Sequence, residues 1–364
     1  MAFPTGWTKK CSLTIDNTKV SGSANLTNFP VLLTEANFPS TIFDNTQSAG
    51  QDLRFTSDSA GTTELAFEIV NWDTTNDKAE VWVKIPTVDY DDDTVFYVWY
   101  GNADATAYAV TGTYGRNAVW SGYKAVWHLQ GAYDGTAGEV INSVGSLHGT
   151  ATDATTQVGA KIGNGQTFTK ANGNYIEIPD SATSALRLLA TKYTIQMWVK
   201  PNVGKTVASF RVIQMEDAED FSGGYSIMFR GVGSILWGHN ANDGDRNWTF
   251  NSGMSDGTFY KADFVYDQTN RIYYRDGGNP QTKGTTADLT SDNNDNFNIG
   301  RVPVYGQYYN GDIDEIRVIA DALSADWLAT EYANQNSPST FVTEGTEESV
   351  GATGIAASKR SINC

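Results

Sequence analysis

Acidic residues stand close together in the stretch Gly311–Val318, which reads Gly-Asp-Ile-Asp-Glu-Ile-Arg-Val. Polar and apolar residues alternate there, as in a β-strand that packs on one face. Strict alternation places Asp312, Asp314 and Ile316 on one face of the strand. It places Glu315 on the opposite face. Neighbouring carboxylates suit either the hydrolysis of a glycosidic bond or the binding of a hard cation such as Ca²⁺.

The spacing of these carboxylates argues against hydrolysis. A retaining glycosidase needs its nucleophile and its acid about 5–5.5 Å apart, whereas Asp312 and Asp314 are about 6.6 Å apart along a strand. Glu315 is out of phase with them and is predicted to pair with Arg317 or with a neighbouring strand. We therefore predict that the protein is not an enzyme. A buried cluster of three carboxylates lining one groove would contradict this prediction.

The histidines do not indicate a catalytic or metal site either. His128, His148 and His239 share no spacing such as His-x-x-x-His. Each is expected to have a structural or surface role. The sequence contains no phosphate-binding Gly-x-x-x-x-Gly-Lys-Ser/Thr loop.

A polar loop at residues 239–248 is a second place where ligand chemistry is expected. Its aspartates suit a metal ion, its arginine supplies a donor, and the neighbouring tryptophans supply a surface on which a sugar ring stacks. The candidate carbohydrate-binding residues are Trp237, Asp243, Asp245, Arg246 and Trp248. The alternative is an ordinary polar loop whose tryptophans belong to the core.

Composition sets limits on the fold and on the partners. The 364 residues include 35 Gly and 44 aromatic residues (10 Trp, 18 Tyr and 16 Phe), which favours many short strands joined by turns. A net charge of −17 without a basic patch argues against nucleic acid as a partner. No apolar run approaches the roughly 20 residues of a membrane span. The only cysteines, Cys11 and Cys364, cannot build a disulfide framework.

The strand pattern predicts an all-β fold with two β-sandwich (jelly-roll) domains in tandem. The predicted first domain is 1–110, the second is 118–343, and residues 344–364 form an extended C-terminal tail. Ser324 is placed to cap a short helix that carries Trp327. The tail is too polar to order itself, so we expect it to contact other copies of the chain or other proteins of an assembly.

Three motifs in the first domain resemble a known family. They are Asp52-Leu53-Arg54-Phe55-Thr56, Val81-Trp82-Val83-Lys84-Ile85-Pro86 and Trp99-Tyr100-Gly101-Asn102. In this order they resemble the domain of unknown function that often precedes laminin G-like domains in bacterial, archaeal and phage surface proteins. The resemblance implies a fold and a neighbourhood but no chemistry.

Motifs of the second domain resemble the laminin G-like, concanavalin A-like lectin jelly roll. They are Trp127-His128-Leu129, Asn142-Ser143-Val144-Gly145, Tyr175–Pro179, Ile195–Val199 and the strand Ile313–Val318. Many such domains hold a calcium ion and bind glycans or proteins at the sandwich rim. The resemblance implies a structural Ca²⁺ site in which Asn142, where many relatives have Asp, joins Asp312 or Asp314.

Together these features predict a non-enzymatic structural and adhesion protein of a virion surface. A phage decoration, fibre or receptor-binding protein fits, with host-surface polysaccharide bound through the second domain. Met1–Trp7 leads into a strand pattern without a signal sequence, and such a protein reaches the outside by lysis. The alternatives are a cellular surface adhesin or surface-layer subunit, located extracellularly, and a glycan hydrolase.

Overall fold

The computed structural model describes residues 3–153, 155–179, 185–188, 191–204, 209–215, 224–239, 247–284, 289, 296–302 and 306–351. Within these ranges the chain forms antiparallel sheets that pack face to face, and its helices are short. The predicted all-β class, with sandwiches in tandem, is confirmed. None of the helices in the described ranges has both the length and the apolar composition that crossing a bilayer requires.

The first sandwich begins with two sets of strands. They are β1 (Lys9–Ile15), β2 (Leu26–Thr34), β3 (Arg54–Thr56), β4 (Phe67–Asp73), β5 (Lys78–Val88) and β6 (Thr94–Tyr100). Strands β1, β6 and β3 form one sheet, and β2, β5 and β4 form the other. Their inward residues, including Leu13, Val31 and Val98, form one buried cluster. The short helices α1 (Ile42–Asn45) and α2 (Arg116–Val119) and 3₁₀ turns at Asn17–Lys19 and Glu35–Asn37 connect these strands or follow them.

The second sandwich is larger and is built from two long sheets. Its strands are β7 (Tyr123–Trp127), β8 (Thr150–Thr152), β9 (Thr156–Gly159), β10 (Asn164–Phe168), β11 (Tyr175–Ile178), β12 (Tyr193–Pro201), β13 (Ser209–Met215), β14 (Tyr225–Arg230), β15 (Ser234–His239), β16 (Asn247–Asn251), β17 (Tyr260–Tyr266), β18 (Asn270–Arg275), β19 (Gly278–Gly284), β20 (Phe297–Ile299), β21 (Arg301–Val302), β22 (Gln307–Tyr308) and β23 (Gly311–Ile319), with 3₁₀ turns at Lys170–Asn172 and Ala185–Arg187. One sheet has the order β19-β18-β17-β12-β23-β10-β9, with β7 also pairing with β23, and the other has the order β16-β15-β14-β13-β20-β11-β8. Strands β21 and β22 pair with each other. The main apolar core lies between the two long sheets.

After β23 the chain returns to the first sandwich. Helix α3 (Ala325–Asn336) begins at Ser324, whose hydroxyl accepts the N–H of Trp327 at 3.2 Å, as predicted. Helix α4 (Pro338–Phe341) and strands β24 (Val342–Glu344) and β25 (Glu348–Ser349) follow.

Both final strands pair with β1, which differs from the prediction that residues from 344 onward form an extended tail. The physical reason is the open edge of β1, which a returning segment can cover. Phe341 and Val342 add buried apolar surface to the core of the first sandwich.

A β-bulge interrupts β23. Trp198 of β12 pairs with Asp314, but Gln196, two residues away, pairs with Arg317, three residues away. The extra residue on β23 leaves Glu315 with φ of +53°, a left-handed conformation that costs a non-glycine residue about 1–3 kcal/mol.

The bulge changes which side chains share a face. Ile313 and Ile316 both point into the core of the second sandwich, and the polar side chains lie on the other side. The alternation predicted for this strand therefore fails after Asp314, because one inserted residue reverses the phase.

Candidate functional site

The two sandwiches meet across an aromatic contact. Trp82 on β5 lies 5.4 Å, centroid to centroid, from Trp120 and 6.0 Å from the His128 ring. Both tryptophans are fully buried. They belong to a small apolar cluster that also contains Leu32 of the first sandwich and Trp198 of the second.

Helix α3 also connects the two sandwiches, through residues of this apolar cluster. The side-chain amide of Asn334 bonds both backbone groups of Leu32, accepting its N–H at 2.7 Å and donating to its carbonyl at 3.0 Å. The next residue, Gln335, accepts the indole N–H of Trp198 at 2.7 Å. The helix is thus hydrogen-bonded to a strand of each sandwich.

Ionisable side chains surround the aromatic contact. We call them the junction cluster: Glu68, Glu80, His128, Lys261, Asp263, Asp314, Glu315, Arg317 and Glu331. The first two come from the paired strands β4 and β5, where Glu68 lies opposite Trp82. The others belong to the second sandwich and to α3. Each of the nine is at most 7 % exposed.

His128 is the centre of the junction cluster. Its Nδ1 lies 2.5 Å from Oε1 of Glu315, and its Nε2 lies 3.1 Å from Oε2 of Glu68. Burial alone would lower the pKa of His128, but the two carboxylates outweigh burial and raise that pKa well above its usual value. The ring thus joins a carboxylate of the first sandwich, Glu68, to one of the second, Glu315.

Arg317 connects Glu315, one of the partners of His128, to helix α3. Its guanidinium donates to Oε2 of Glu315 at 2.7 Å and to Oε1 of Glu331 at 2.7 Å. The same group lies 4.2 Å from the ring centroid of Trp82. The pairing of Glu315 with Arg317 confirms the sequence prediction. Lys261 then lies 3.0 Å from Glu331.

Carboxyl groups outnumber bases in the junction cluster, six to three. Three of the carboxyl groups have raised pKa values. Burial, followed by the charge of Glu315, raises the pKa of Glu80 to about 8. Burial likewise raises the pKa of Asp314, strongly, and that of Asp263. A raised pKa favours the protonated form of a carboxyl group, which reduces the negative charge that the cluster buries.

The ionised carboxylates behave in the opposite way. Burial would raise the pKa of Glu315, but His128 and Arg317 outweigh it and lower that pKa. Lys261 and Arg317 lower the pKa of Glu331 in the same manner. Two kinds of carboxyl group therefore coexist within one buried cluster, and their neighbours decide which kind each becomes.

Open space borders the junction cluster on several sides. A groove of about 620 Å³, which we call the junction groove, receives side chains from both sandwiches. Its lining includes Asn71, Glu80, Gln130, Lys161, Asn164 and Asn336. A smaller hollow of about 260 Å³ is lined by Glu68, Arg116 and His128 among others. A third, of about 440 Å³, adjoins it along β4.

The junction cluster bears on hydrolysis, because it contains a carboxyl group with a raised pKa, Glu80, near one with a lowered pKa, Glu315. Ligand atoms of Glu80, His128 and Glu315 lie within 4.8 Å of one another. Both glutamates are at most 2 % exposed, and Glu315 uses its two oxygens on His128 and Arg317. Glu80 lines the junction groove while Glu68 lines the smaller hollow. The carboxyl groups are therefore clustered and buried, but Glu80 and Glu68 face different hollows.

The residues predicted to bind calcium have protein partners. Oδ1 of Asn142 accepts the N–H groups of Val126 and Val144, each at 2.9 Å. Asp312 bonds Thr167 at 2.7 Å and Lys200 at 2.8 Å. One oxygen of Asp314 accepts the N–H of Ile162 at 2.9 Å.

Strand register separates Asn142 from Asp312. Val126, which Asn142 contacts, is the partner of Arg317, and Asp312 lies five positions earlier on the same strand, about 16 Å away. Oxygens that share one calcium ion lie within about 5 Å of each other. Asn142 and Asp312 are therefore not brought together.

The predicted sugar-binding loop is only partly described. Trp237 is fully buried and packs at 5.5 Å against Phe264 in the core of the second sandwich. It presents no face to a sugar, in contrast to the prediction. Asp243, Asp245, Arg246 and the side chain of Trp248 lie outside the described residues.

Sequence reasoning missed Glu68, Glu80 and the central place of His128. A signal was present in the strand patterns, because Glu68 and Glu80 interrupt or adjoin apolar runs whose other residues are buried or partly buried. A charged residue in such a run is either solvated or paired. Sequence alone does not tell which partner it meets.

Comparison with known families supports the two resemblances. Residues 170–329 match the family model described as the concanavalin A-like lectin/glucanases superfamily. Residues 49–114 match that of a domain of unknown function, DUF2341. The order of the two domains is as predicted. No curated protein matches the chain.

Several solved structures are similar to part of this chain, at low identity. Domain 4 of a GH43 extracellular arabinanase from Geobacillus stearothermophilus, in complex with arabinotriose, is 18 % identical, with a TM-score of 0.43, covering 58 % of this chain and 98 % of that one. The binding domain of botulinum neurotoxin DC in complex with rat synaptotagmin II is 8 % identical, with a TM-score of 0.47, covering 59 % and 52 %. The binding domain of Paraclostridial mosquitocidal protein 1 is 11 % identical, with a TM-score of 0.43, covering 52 % and 48 %. The chain spans about half the length of these two toxin binding domains.

Proposed function

For a chain whose second sandwich matches the concanavalin A-like superfamily, we propose a non-enzymatic, carbohydrate-binding adhesion function with the sugar held in the junction groove. The observation that carries the proposal is the polar lining of this groove, which is about 620 Å³ in volume. Volumes of roughly 300–1,000 Å³ are typical of small-ligand sites.

Free amide groups make the junction groove suitable for sugar hydroxyls. Asn71 and Asn164 are exposed there, and within the described part of the chain neither side-chain amide forms a hydrogen bond. A sugar hydroxyl both donates and accepts, and an amide offers the complementary acceptor and donors. These two residues come from different sandwiches, so a bound sugar would touch both.

Neighbouring groups hold the rest of the groove in place. Oδ1 of Asn336 accepts a hydrogen bond from Nζ of Lys161 at 2.7 Å, and this ammonium lies 5.2 Å from the Trp198 ring centroid. At the other side, Lys78 pairs with Glu35 at 2.7 Å. A preorganised polar lining reduces the entropy lost when a ligand binds.

The experiment is a glycan array followed by calorimetry with the best saccharide. The double variant Asn71→Ala/Asn164→Ala is expected to weaken binding by about tenfold or more, since each lost hydrogen bond contributes about 0.5–1.5 kcal/mol. Thr282→Ala is the matched control, because Thr282 is exposed on β19, at the opposite edge of the long sheet. Unchanged affinity in the double variant would rule out the junction groove as the sugar site.

The loop at residues 239–248 is tested in the same assay. Arg246→Ala is expected to reduce binding only if that loop, and not the junction groove, holds the sugar. Opposite responses of the two variants would assign the site to one place. Loss of binding in both would place the sugar across the two.

The non-enzymatic part of the proposal rests on burial. The carboxyl groups of the junction cluster are at most 5 % exposed, so a glycosidic bond has no direct access to them. Incubation with the bound polysaccharide is expected to release no reducing sugar. Release that disappears in Glu80→Gln would overturn this part and favour the hydrolase.

Calcium and the virion setting remain predictions. A melting curve recorded with and without a calcium chelator tests the first, and an unchanged midpoint would count against a structural calcium ion. Antibody labelling of purified particles tests the virion surface, and labelling of host cells would favour the cellular adhesin. The predicted assembly contacts of the tail involve residues that are mostly outside the described ranges.

A further inference from the structure

We propose that Glu80, His128 and Glu315 form a zinc site that joins the two sandwiches. None of the three is a predicted calcium ligand or one of the two asparagines proposed to bind the sugar, and Glu80 also lines the junction groove. The three ligand atoms lie within 4.8 Å of one another. One imidazole nitrogen with carboxylate oxygens is a donor set that suits Zn²⁺.

The distances at Nδ1 of His128 bracket those of a tetrahedral zinc site. Nδ1 lies 2.5 Å from Oε1 of Glu315 and 3.7 Å from Oε1 of Glu80. Ligand bonds of about 2.0–2.1 Å in tetrahedral geometry separate ligand atoms by about 3.3 Å. Entry of the ion therefore needs one contact to lengthen by less than about 1 Å and the other to shorten slightly.

Unpartnered oxygens point to a missing partner. Glu80 is 2 % exposed. Its Oε1 lies 3.7 Å from Nδ1 of His128, and its other oxygen, Oε2, has no hydrogen-bond partner among the described residues. Asp314, which is fully buried, likewise has an unpartnered Oδ1. A buried acceptor without a partner costs about 1–3 kcal/mol, and a cation beside it removes that cost.

The surrounding contacts already orient the ligands. Oε2 of Glu68 lies 3.1 Å from the remote ring nitrogen of His128, an arrangement that fixes the ring of a zinc-bound histidine. Arg317 holds the second oxygen of Glu315 at 2.7 Å. Trp82 donates its indole N–H to Glu80 at 3.2 Å. Each ligand thus has an outer partner.

The charge of the junction cluster and the hollows beside it also favour the binding of a cation. The cluster has more carboxyl groups than bases, so a divalent cation enters a site short of positive charge. On binding, Zn²⁺ replaces the protons carried by the ligands, and these protons leave to solvent. The junction groove reaches Glu80 and the smaller hollow reaches His128, so an ion has a path from either side.

The test uses the whole chain with ZnCl₂. After dialysis against Zn²⁺, metal analysis is expected to find one zinc per chain, and excess Ca²⁺ is expected not to displace it. Zinc X-ray absorption is expected to show one imidazole and otherwise oxygen ligands. Absence of bound zinc, or a spectrum with sulfur or with two imidazoles, would overturn the proposal.

Variants locate the ion. Glu80→Gln keeps the shape and an acceptor for Trp82, and is expected to lose more affinity for zinc than Glu68→Gln, for which about 10–100-fold is expected. Glu35→Gln, at a partly exposed glutamate of the same groove, is the control and should bind as the wild type does. Equal affinity in Glu80→Gln and wild type would overturn the site. If Glu80→Gln fails to fold, as judged by near-UV circular dichroism, the wild-type absorption spectrum decides.

The proposed sugar site and the proposed zinc site can be tested independently of each other. Asn71→Ala/Asn164→Ala removes amides of the groove but none of the three ligands, so zinc affinity should be unchanged. Loss of glycan binding with retained zinc would assign the groove to sugar and the cluster to metal.

Discussion

Strand β23 separates two buried regions of opposite chemistry. Ile313, Ile316 and Val318 lie in the apolar core of the second sandwich, while Glu315 and Arg317 belong to the junction cluster, and all five are at most 1 % exposed. The apolar region is stabilised by burial and close packing. The ionic region is stable only as a complete set, because desolvated charges need their partners. Although the two regions are equally buried, they are therefore expected to respond differently to substitution.

Replacing Arg317 is expected to destabilise the protein most. Arg317→Met leaves Glu315 and Glu331 without their shared partner, and we expect the free energy of unfolding to fall by about 3–5 kcal/mol. Ile316→Val, one residue away on the core face, should cost about 0.5–1.5 kcal/mol. Urea unfolding of both variants measures the difference. Equal losses would show that the junction cluster behaves like an ordinary core.

A double-mutant cycle measures how strongly two charged side chains of the junction cluster depend on each other. Lys261 contacts Asp263 and lies 3.0 Å from Glu331, so Lys261→Met alone leaves uncompensated carboxyl groups. Adding Asp263→Asn should recover part of the loss, with a coupling free energy of about 1–3 kcal/mol. Additive losses in the cycle would mean that the two side chains stabilise the fold independently.

The protonation of Glu80 predicts a pH dependence that the apolar core lacks. The ordinary pKa of its carboxyl group is 4.5, and in the folded protein the pKa is about 8. Between these values the folded state holds a proton that the unfolded state has lost. The stabilising contribution of this group is therefore present below about pH 4.5 and is lost as pH rises through 8, at up to about 1.4 kcal/mol per pH unit.

The measurement for this prediction is denaturant unfolding at several pH values between 5 and 8. Glu80→Gln, which cannot ionise, should flatten the slope in this window, whereas Ile316→Val should leave the slope of the wild type unchanged. His128 acts in the same direction, because its raised pKa also makes stability fall at high pH. An unchanged slope in Glu80→Gln would assign the pH dependence to other groups.

The smallest expected effect tests an ion pair near the surface. Glu347, between β24 and β25, lies 2.5 Å from Lys9 and accepts the Thr41 hydroxyl at 2.6 Å, with its side chain 25 % exposed. Glu347→Ala should lower the free energy of unfolding by about 1 kcal/mol. The neighbouring Glu348 is 56 % exposed, and Glu348→Ala should stay within about 0.5 kcal/mol of the wild type. A larger effect in Glu348→Ala would contradict this ranking by burial.

Much of the architecture follows from local patterns. Period-two alternation and turn residues predict the strands, and Ser324 predicts the start of helix α3, because these signals act over a few residues. The pairing of Glu315 with Arg317 was also predicted, since both residues belong to one short stretch. The motifs that resemble two known families lie within such stretches as well.

The junction cluster was decided by tertiary structure. The contact of His128 with Glu315 spans 187 positions of the chain and that with Glu68 spans 60, so no local pattern reports them. The bulge at Glu315 reverses the face of the strand without a glycine to mark it. Sequence determined which segments are strands, because alternation is a local property. Only the packed chain determined which charges meet, because their pairing depends on sheet register and on the contact between the two sandwiches.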